Sequence, residues 1–167
     1  MNFKIIPIRG LEDLLIIRDI AFKTWPHTFA DILSENQIDY MLDLLYAIPS
    51  LKNQVDIKGH KFLIGLNEDV PVGFASYELN YNDSTSAKLH KLYFLPITQG
   101  RGFGRAMLEE LKSIAREQKQ SSIILNVNKY NKAIQFYEHQ GFHKIKEEVI
   151  DIGSGYVMDD YVMELVL

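Results

Sequence analysis

Cysteine is missing altogether from this 167-residue chain. That removes disulfides, thiolate metal sites and a cysteine nucleophile together. Long apolar runs are missing too. None approaches the roughly 18 residues that span a bilayer, so no membrane partner is expected. The opening Met1-Asn2-Phe3-Lys4 lacks the layout of a secretory signal, which makes the cytoplasm the default location. Positive charge is in short supply. Lys and Arg number 18 against 22 Asp and Glu, for a net charge of −4. Phosphate backbones call for a basic face, so nucleic acid is not an expected partner, whereas a small cation is compatible with this balance. Repeats, low-complexity tracts and linker-like stretches are absent as well.

What is present is the composition of a folded domain, 47% hydrophobic and 24% charged. The length suits one domain, residues 1–167, with one substantial core. Helices and strands are mixed throughout. Strands are expected at Phe3 to Ile8, Lys61 to Leu66, Val72 to Asn80, Ala87 to Leu95, Ile123 to Val127, Phe142 to Ile150 and Tyr156 to Val166. Helices are expected at Leu11 to Thr24, at Glu35 to Ala47 with Ser34 as N-cap, from the glycines near 104 onward, and at Lys132 to His139. Glu68 to Pro71, Asn80 to Ser86 and Gly153-Ser154-Gly155 read as turns. Asn82-Asp83-Ser84 fits a glycosylation acceptor, and without a secretory signal it reads as part of such a turn. The fold class is α/β (α+β): a mixed, mostly antiparallel sheet of six or seven strands, flanked by about four helices. Its one parallel crossover runs from Ala87 to Val127.

The transition at Gln99-Gly100-Arg101-Gly102-Phe103-Gly104-Arg105 is the most informative. A strand stopped by Pro96 feeds a glycine-rich turn and then an amphipathic helix. Phe103, Met107, Leu111, Ile114 and Ala115 form its buried stripe, with Glu109, Lys112, Arg116 and Glu117 toward water. The first helical N–H groups lack intrahelical partners, and the helix dipole adds about half a positive charge there. Arg101 and Arg105 sit at the wrong end of that dipole unless an anion binds between them. Two other phosphate loops fail. A P-loop needs Lys-Ser/Thr after its last glycine, and here Arg105-Ala106 follows Gly104. A dinucleotide fingerprint needs a third glycine where this chain has Arg105 or Met107, and no acidic residue closes the next strand at Val127-Asn128.

Gln99-x-x-Gly102-x-Gly104 resembles the pyrophosphate loop of the GNAT superfamily of acetyl-CoA-dependent N-acetyltransferases. Downstream, Leu125, Asn126, Val127, Asn131, Ala133, Tyr137, Gly141 and Phe142 are similar to that superfamily's second motif. The resemblance implies acetyl-CoA as cosubstrate, no metal, and transfer without an acyl-enzyme. It implies that Gln99 to Arg105 hold the pyrophosphate. The preceding strand would bulge and splay from the next, so that backbone groups of Leu92, Tyr93 and Phe94 pair with the pantetheine arm. A backbone N–H there could polarise the thioester carbonyl. Asn131 would bond the cofactor's amide arm, cap the following helix, or do both. Ala133 would leave room for the cofactor beside that helix. Tyr137 would be the general acid that protonates the departing thiolate; a packed core tyrosine is the alternative.

An amine of pKa about 10.4 costs roughly 4–5 kcal/mol to deprotonate at pH 7, so a base is needed. Glu78 or His90, directly or through water, and His27 stand as alternatives. His139 and His143 are no metal pair, because Gly141 breaks the helix between them. Glu35, Asp39 and Asp43 form an acidic stripe, and Asp159 and Asp160 a second acidic spot. Trp25, Tyr40 and Tyr81 offer aromatic faces to a cation. With a slight likeness to polyamine-acetylating members around Trp25 to Phe29 and Tyr156 to Met163, these imply a small-molecule amine acceptor such as a polyamine. A peptide or protein amine, and a non-catalytic acyl-CoA sensor, are the alternatives. Nothing in the pattern sets the oligomeric state, and a homodimer stands as one expectation.

Overall fold

A computed structural model describes residues 2–167. Seven strands form one sheet: β1 (Phe3–Pro7), β2 (Lys61–Asn67), β3 (Val70–Glu78), β4 (Ser86–Phe94), β5 (Ser122–Asn128), β6 (His143–Gly153) and β7 (Tyr156–Val166). Their order is β1-β2-β3-β4-β5-β7-β6. Every pairing is antiparallel except β4 with β5. The helices are α1 (Leu11–Phe29), α2 (Glu35–Tyr46), α3 (Ile48–Asp56), α4 (Phe103–Glu117) and α5 (Ala133–His139). Helices cover both faces, as alternation along the central strands requires. Phe62, Ile64 and Phe74 pack under α1, α2 and α3, with Trp25, Tyr46 and Leu51. Leu63, Ala75 and Tyr77 point the other way, onto Met107, Leu108 and Leu111 of α4.

Several expectations need correction. Five helices lie among the described residues, where about four are expected from the sequence. The one not foreseen, α3, follows α2 after the single residue Ala47 and carries Pro49 in its first turn, where proline costs nothing. Helix α1 does not stop at Thr24 but continues to Phe29 with Pro26 inside it. Pro26 is exposed, so water can take the carbonyl it leaves unpaired, while burial of Trp25 and Phe29 holds the extra turn in place. The turn expected at Glu68 to Pro71 is only Glu68-Asp69, both at positive φ (50° and 64°), and Pro71 lies within β3 opposite Leu66. Lys112 is buried rather than solvated. It lies along α4, with Nζ donating to Glu109 at 2.9 Å and to the Gln140 carbonyl at 3.4 Å. The acceptor-like Asn82-Asp83-Ser84 does sit in a turn, with positive φ at Asn82 and Asp83.

Candidate functional site

The site begins where two parallel strands part. β4 and β5 are paired only from Ser86 to Leu89 and from Ser122 to Leu125. Beyond that point β5 follows β7 through Asn128, while β4 continues beside β3. The cause of the parting lies at His90. Tyr77 pairs with Leu89 and Ser76 with Lys91, so His90 is the extra residue of a bulge in β4, and a bulge turns its strand away from its neighbour. The bulge and the splay expected of this strand are therefore present.

A cavity of about 1000 Å³ fills the opening. One wall is Leu89 to Phe94, the other Leu125 to Asn128, and α5 closes the side with Asn131, Ala133 and Tyr137. The N-terminus of α4 faces its mouth through Gln99, Gly100, Gly102, Phe103, Gly104 and Arg105. Gly100 and Gly102 have φ of +79° and +81°, which side chains other than glycine's adopt only at a cost. Gly104 is helical, and a Cβ there would meet Phe136 at an ordinary 3.7 Å, so it needs no glycine for space. The free N–H groups of the first turn, with the dipole behind them, make this mouth an anion site, and they fit a pyrophosphate. Arg105 lines the cavity. Arg101 does not: its guanidinium lies over the Phe103 ring at 4.9 Å.

Asn131 caps α5, its Oδ1 accepting from the Ala133 N–H at 2.9 Å. Tyr137 is 9% exposed, and burial pushes its hydroxyl well above the ordinary phenol range, so it stays protonated. Tyr93 lines the cavity from β4 and its hydroxyl is raised by the same cause, with its ring against Trp25 and Phe74. Phe94 packs between Phe3 and Phe103. The side chains of Tyr93 and Phe94 therefore belong to the core, which leaves the strand's unpaired backbone to face an occupant.

Glu78 and His90 are brought together, with His90 Nε2 2.9 Å from Glu78 Oε1. His90 lines the cavity and Glu78 stands behind it. A third member was not foreseen. His60 Nε2 lies 3.4 Å from the same oxygen, and the two imidazoles stack at 3.9 Å. Desolvation, reinforced by Lys91, holds His60 down to about 4 and His90 lower still, so both are neutral at pH 7. Burial also raises Glu78. Lys91 itself is buried against Tyr46 and Phe62, donates to Gln54 Oε1 at 2.6 Å, and is pushed down to about 7. His60, Lys91 and Gln54 carry no motif spacing; the register of β2, β3 and β4 and the packing of α3 against them assemble the three. His27 is exposed at the cavity's rim on α1.

The acceptor features expected from the sequence are only partly assembled. Glu35, Asp39 and Asp43 are exposed and none lines the cavity; the helix turns its apolar face inward and the stripe to water. Tyr40 instead ties α2 to β6, its hydroxyl donating to the Ile152 carbonyl at 2.7 Å. Tyr81 already carries Lys88 over its ring at 5.0 Å. Trp25 is 3% exposed and packed among Phe29, Tyr46 and Tyr93. Asp159 pairs with Lys129 at 3.0 Å. Trp25 and Asp160 are the two of these that line the cavity, and Asp160 carries the charge. It is 5% exposed and lines the cavity; Oδ2 accepts from Asn126 at 3.3 Å, and Oδ1 has no partner among the described residues.

The sequence profile of the acetyltransferase (GNAT) family matches residues 15–142. A spermidine N(1)-acetyltransferase from Thermoplasma acidophilum is 26% identical over 156 residues, which are 90% of this chain and 92% of that protein. The crystal structure of the PaiA N-acetyltransferase from the same organism, in complex with coenzyme A, superposes with a TM-score of 0.83 at 24% identity, covering all of both chains. The Escherichia coli ribosomal-protein-S18-alanine N-acetyltransferase superposes with a TM-score of 0.67 at 19% identity over 99% of this chain and 94% of that one.

Proposed function

The chain belongs to the acetyltransferase (GNAT) family, and from that premise we propose that it acetylates a small cationic amine, of which a diamine or polyamine is the type. The coarser statement, an N-acetyltransferase with acetyl-CoA as cosubstrate, follows from the family. The finer one rests on Asp160. Asp160 and Glu148 both accept from the Asn126 amide, whose oxygen accepts from Lys88, and Asp159 adds a further negative charge beside Asp160. Desolvation, with Glu148 and Asp159 beside it, raises the Asp160 pKa against the pull of Asn126 and Lys88, and its Oδ1 has no partner among the described residues. A substrate ammonium supplies that partner. The polyamine acetyltransferase among the relatives supports the same class of acceptor.

Acetyl-CoA, when bound, supplies an acetyl group activated as a thioester. The α4 N-terminus with Gln99, Gly100, Gly102, Gly104 and Arg105 would hold its pyrophosphate, and the free edge of Leu92 to Phe94 its arm, as an added strand does. Asn131 would turn its amide toward that arm while its Oδ1 caps α5. Glu78 or His90, hydrogen-bonded to each other at 2.9 Å, would take the proton of the attacking ammonium, directly or through a water; burial raises the carboxylate's affinity for a proton and lowers the imidazole's, which favours Glu78 as its final holder. Tyr137 holds its own proton at neutral pH and gives it up at the leaving sulfur. The desolvation that raises the phenol acts equally on a thiolate, so donor and acceptor stay matched.

Asp160→Asn tests the acceptor. With a panel of mono-, di- and polyamines, the substitution is expected to raise KM for diamines and polyamines about 10–100-fold, the scale of one lost charge-assisted contact, and to leave acetyl-CoA affinity unchanged. A wild-type preference for peptide amines, or no turnover despite tight CoA binding, overturns the reading in favour of a peptide acetyltransferase or a sensor.

A further inference from the structure

His60, Glu78 and His90 come from three neighbouring strands. His60 immediately precedes β2, Glu78 ends β3, and His90 is the bulged residue of β4. Their three ligand-type atoms lie within 4.8 Å of one another. Nε2 of His90 and Nε2 of His60 stand 2.9 and 3.4 Å from one carboxylate oxygen of Glu78. Donors bonded to a tetrahedral ion at about 2.1 Å lie roughly 3.4 Å apart, so the spacing suits a metal, and one of the two stacked rings must turn for both nitrogens to aim at it. The rings are stacked at 16° and all three groups are partly buried. His60 Nδ1 has no partner among the described residues, so that ring is not pinned through its far nitrogen and can turn to present either one.

We propose that His60, Glu78 and His90 form a binding site for a divalent transition-metal ion, with Zn²⁺ as the type, at which the ion inhibits acetyl transfer. Two imidazoles and one carboxylate select Zn²⁺, Co²⁺ or Cu²⁺ over Mg²⁺ and Ca²⁺, which prefer all-oxygen shells. The ion's remaining position faces the cavity that His60 and His90 line. On binding, each neutral imidazole carries its hydrogen on the nitrogen away from the ion, and the His90–Glu78 hydrogen bond is replaced by two metal–ligand bonds. The ion is an effector and not a cofactor. It takes the two groups assigned above as proton acceptor and its orienting partner. The inhibitory consequence rests on that assignment; the binding site does not.

The test uses the full chain. Zn²⁺ is titrated in competition with a chromophoric chelator, and Co²⁺ is added separately as a spectroscopic probe. One equivalent of Zn²⁺ is expected to bind in the micromolar range and raise Tm, with no such effect from Mg²⁺. Co²⁺ is expected to give the visible absorption of a four-coordinate N/O site. His60→Gln, which keeps the ring's bulk in part, is expected to weaken Zn²⁺ at least 10-fold while CoA still binds; CoA binding and Tm in EDTA show that the variant is folded. Zn²⁺ affinity unchanged in His60→Gln, or no saturable Zn²⁺ and Co²⁺ binding to the wild type, overturns the site. Saturable binding that His60→Gln abolishes, with acetylation undiminished by Zn²⁺, overturns the inhibition and with it the role of His90 and Glu78 as proton acceptor. Inhibition reversed by EDTA in the wild type upholds both.

Discussion

Tyr137 shows how one side chain can satisfy packing and chemistry at once. It sits in the core beside Phe136 and Phe142 and also lines the cavity, so the two readings open at the level of sequence are compatible. Removing only the hydroxyl separates them. Tyr137→Phe is expected to lower turnover about 10²–10⁴-fold, the usual scale of general acid catalysis, with acetyl-CoA affinity and Tm nearly unchanged. Turnover at the wild-type level, in a steady-state assay with saturating amine, removes the acid role. His60 carries the opposite lesson. A histidine after a turn has no pattern to mark it, and its meaning comes entirely from what β3 and β4 place beside it.

Among the elements, the α4 N-terminus and the β3–β4 ladder each depend on a glycine, for different reasons. Gly102 is the N-cap of α4 at φ +81°, with nothing within 4 Å of a Cβ placed there. The requirement is conformational. Gly102→Val forces the cap out of its left-handed region, and calorimetric titration is expected to show CoA binding abolished while the far-UV spectrum of the fold is retained. Unaltered binding would sink the phosphate cradle. Gly73 is a matter of space. A Cβ there would stand 2.1 Å from the Phe94 ring, and that ring fills the gap between Phe3 and Phe103. Gly73→Ala is expected to cost about 1–3 kcal/mol as overpacking does, and Phe94→Leu in the same chain to recover part of it. Additive losses in a denaturant-unfolding cycle would refute the contact.

At the scale of the whole molecule, burial of the histidine pair links stability to pH. His60 titrates at about 4 in the folded chain, against 6.5 when free, and His90 is lower still. Between those values the unfolded chain binds more protons than the folded one. This contribution is therefore complete above pH 6.5 and is lost as pH falls from there toward 4. Tm is expected to drop across that window, and to drop less in His60→Gln; equal slopes for both proteins would show that His60 does not contribute. The fold as a whole does not choose the acceptor. The chain is similar to both a spermidine acetyltransferase and a ribosomal-protein-alanine acetyltransferase, so the likeness does not select the acceptor, and the proposed choice rests on Asp160.

Much of this was legible in the sequence because it is local. Strand alternation, the helix stripe of α4, the glycine turn before it and the spacing of Asn131 and Tyr137 all lie within short stretches, where periodicity and capping chemistry act directly. From these come the mixed α/β sheet, the family and the expectation of an anion at the glycine turn. The tertiary structure decided what depends on register and on which face turns inward. It set Arg101 over Phe103, sent the Glu35, Asp39 and Asp43 stripe to solvent, and committed Tyr40 to β6 and Trp25 to the core. It also gathered His60 and His90 around one oxygen of Glu78 and left Asp160 Oδ1 at the cavity wall without a partner among the described residues. The physical reason is the same in each case. The energy of a buried charge depends on partners many residues away in sequence, and only the folded sheet brings those partners within reach.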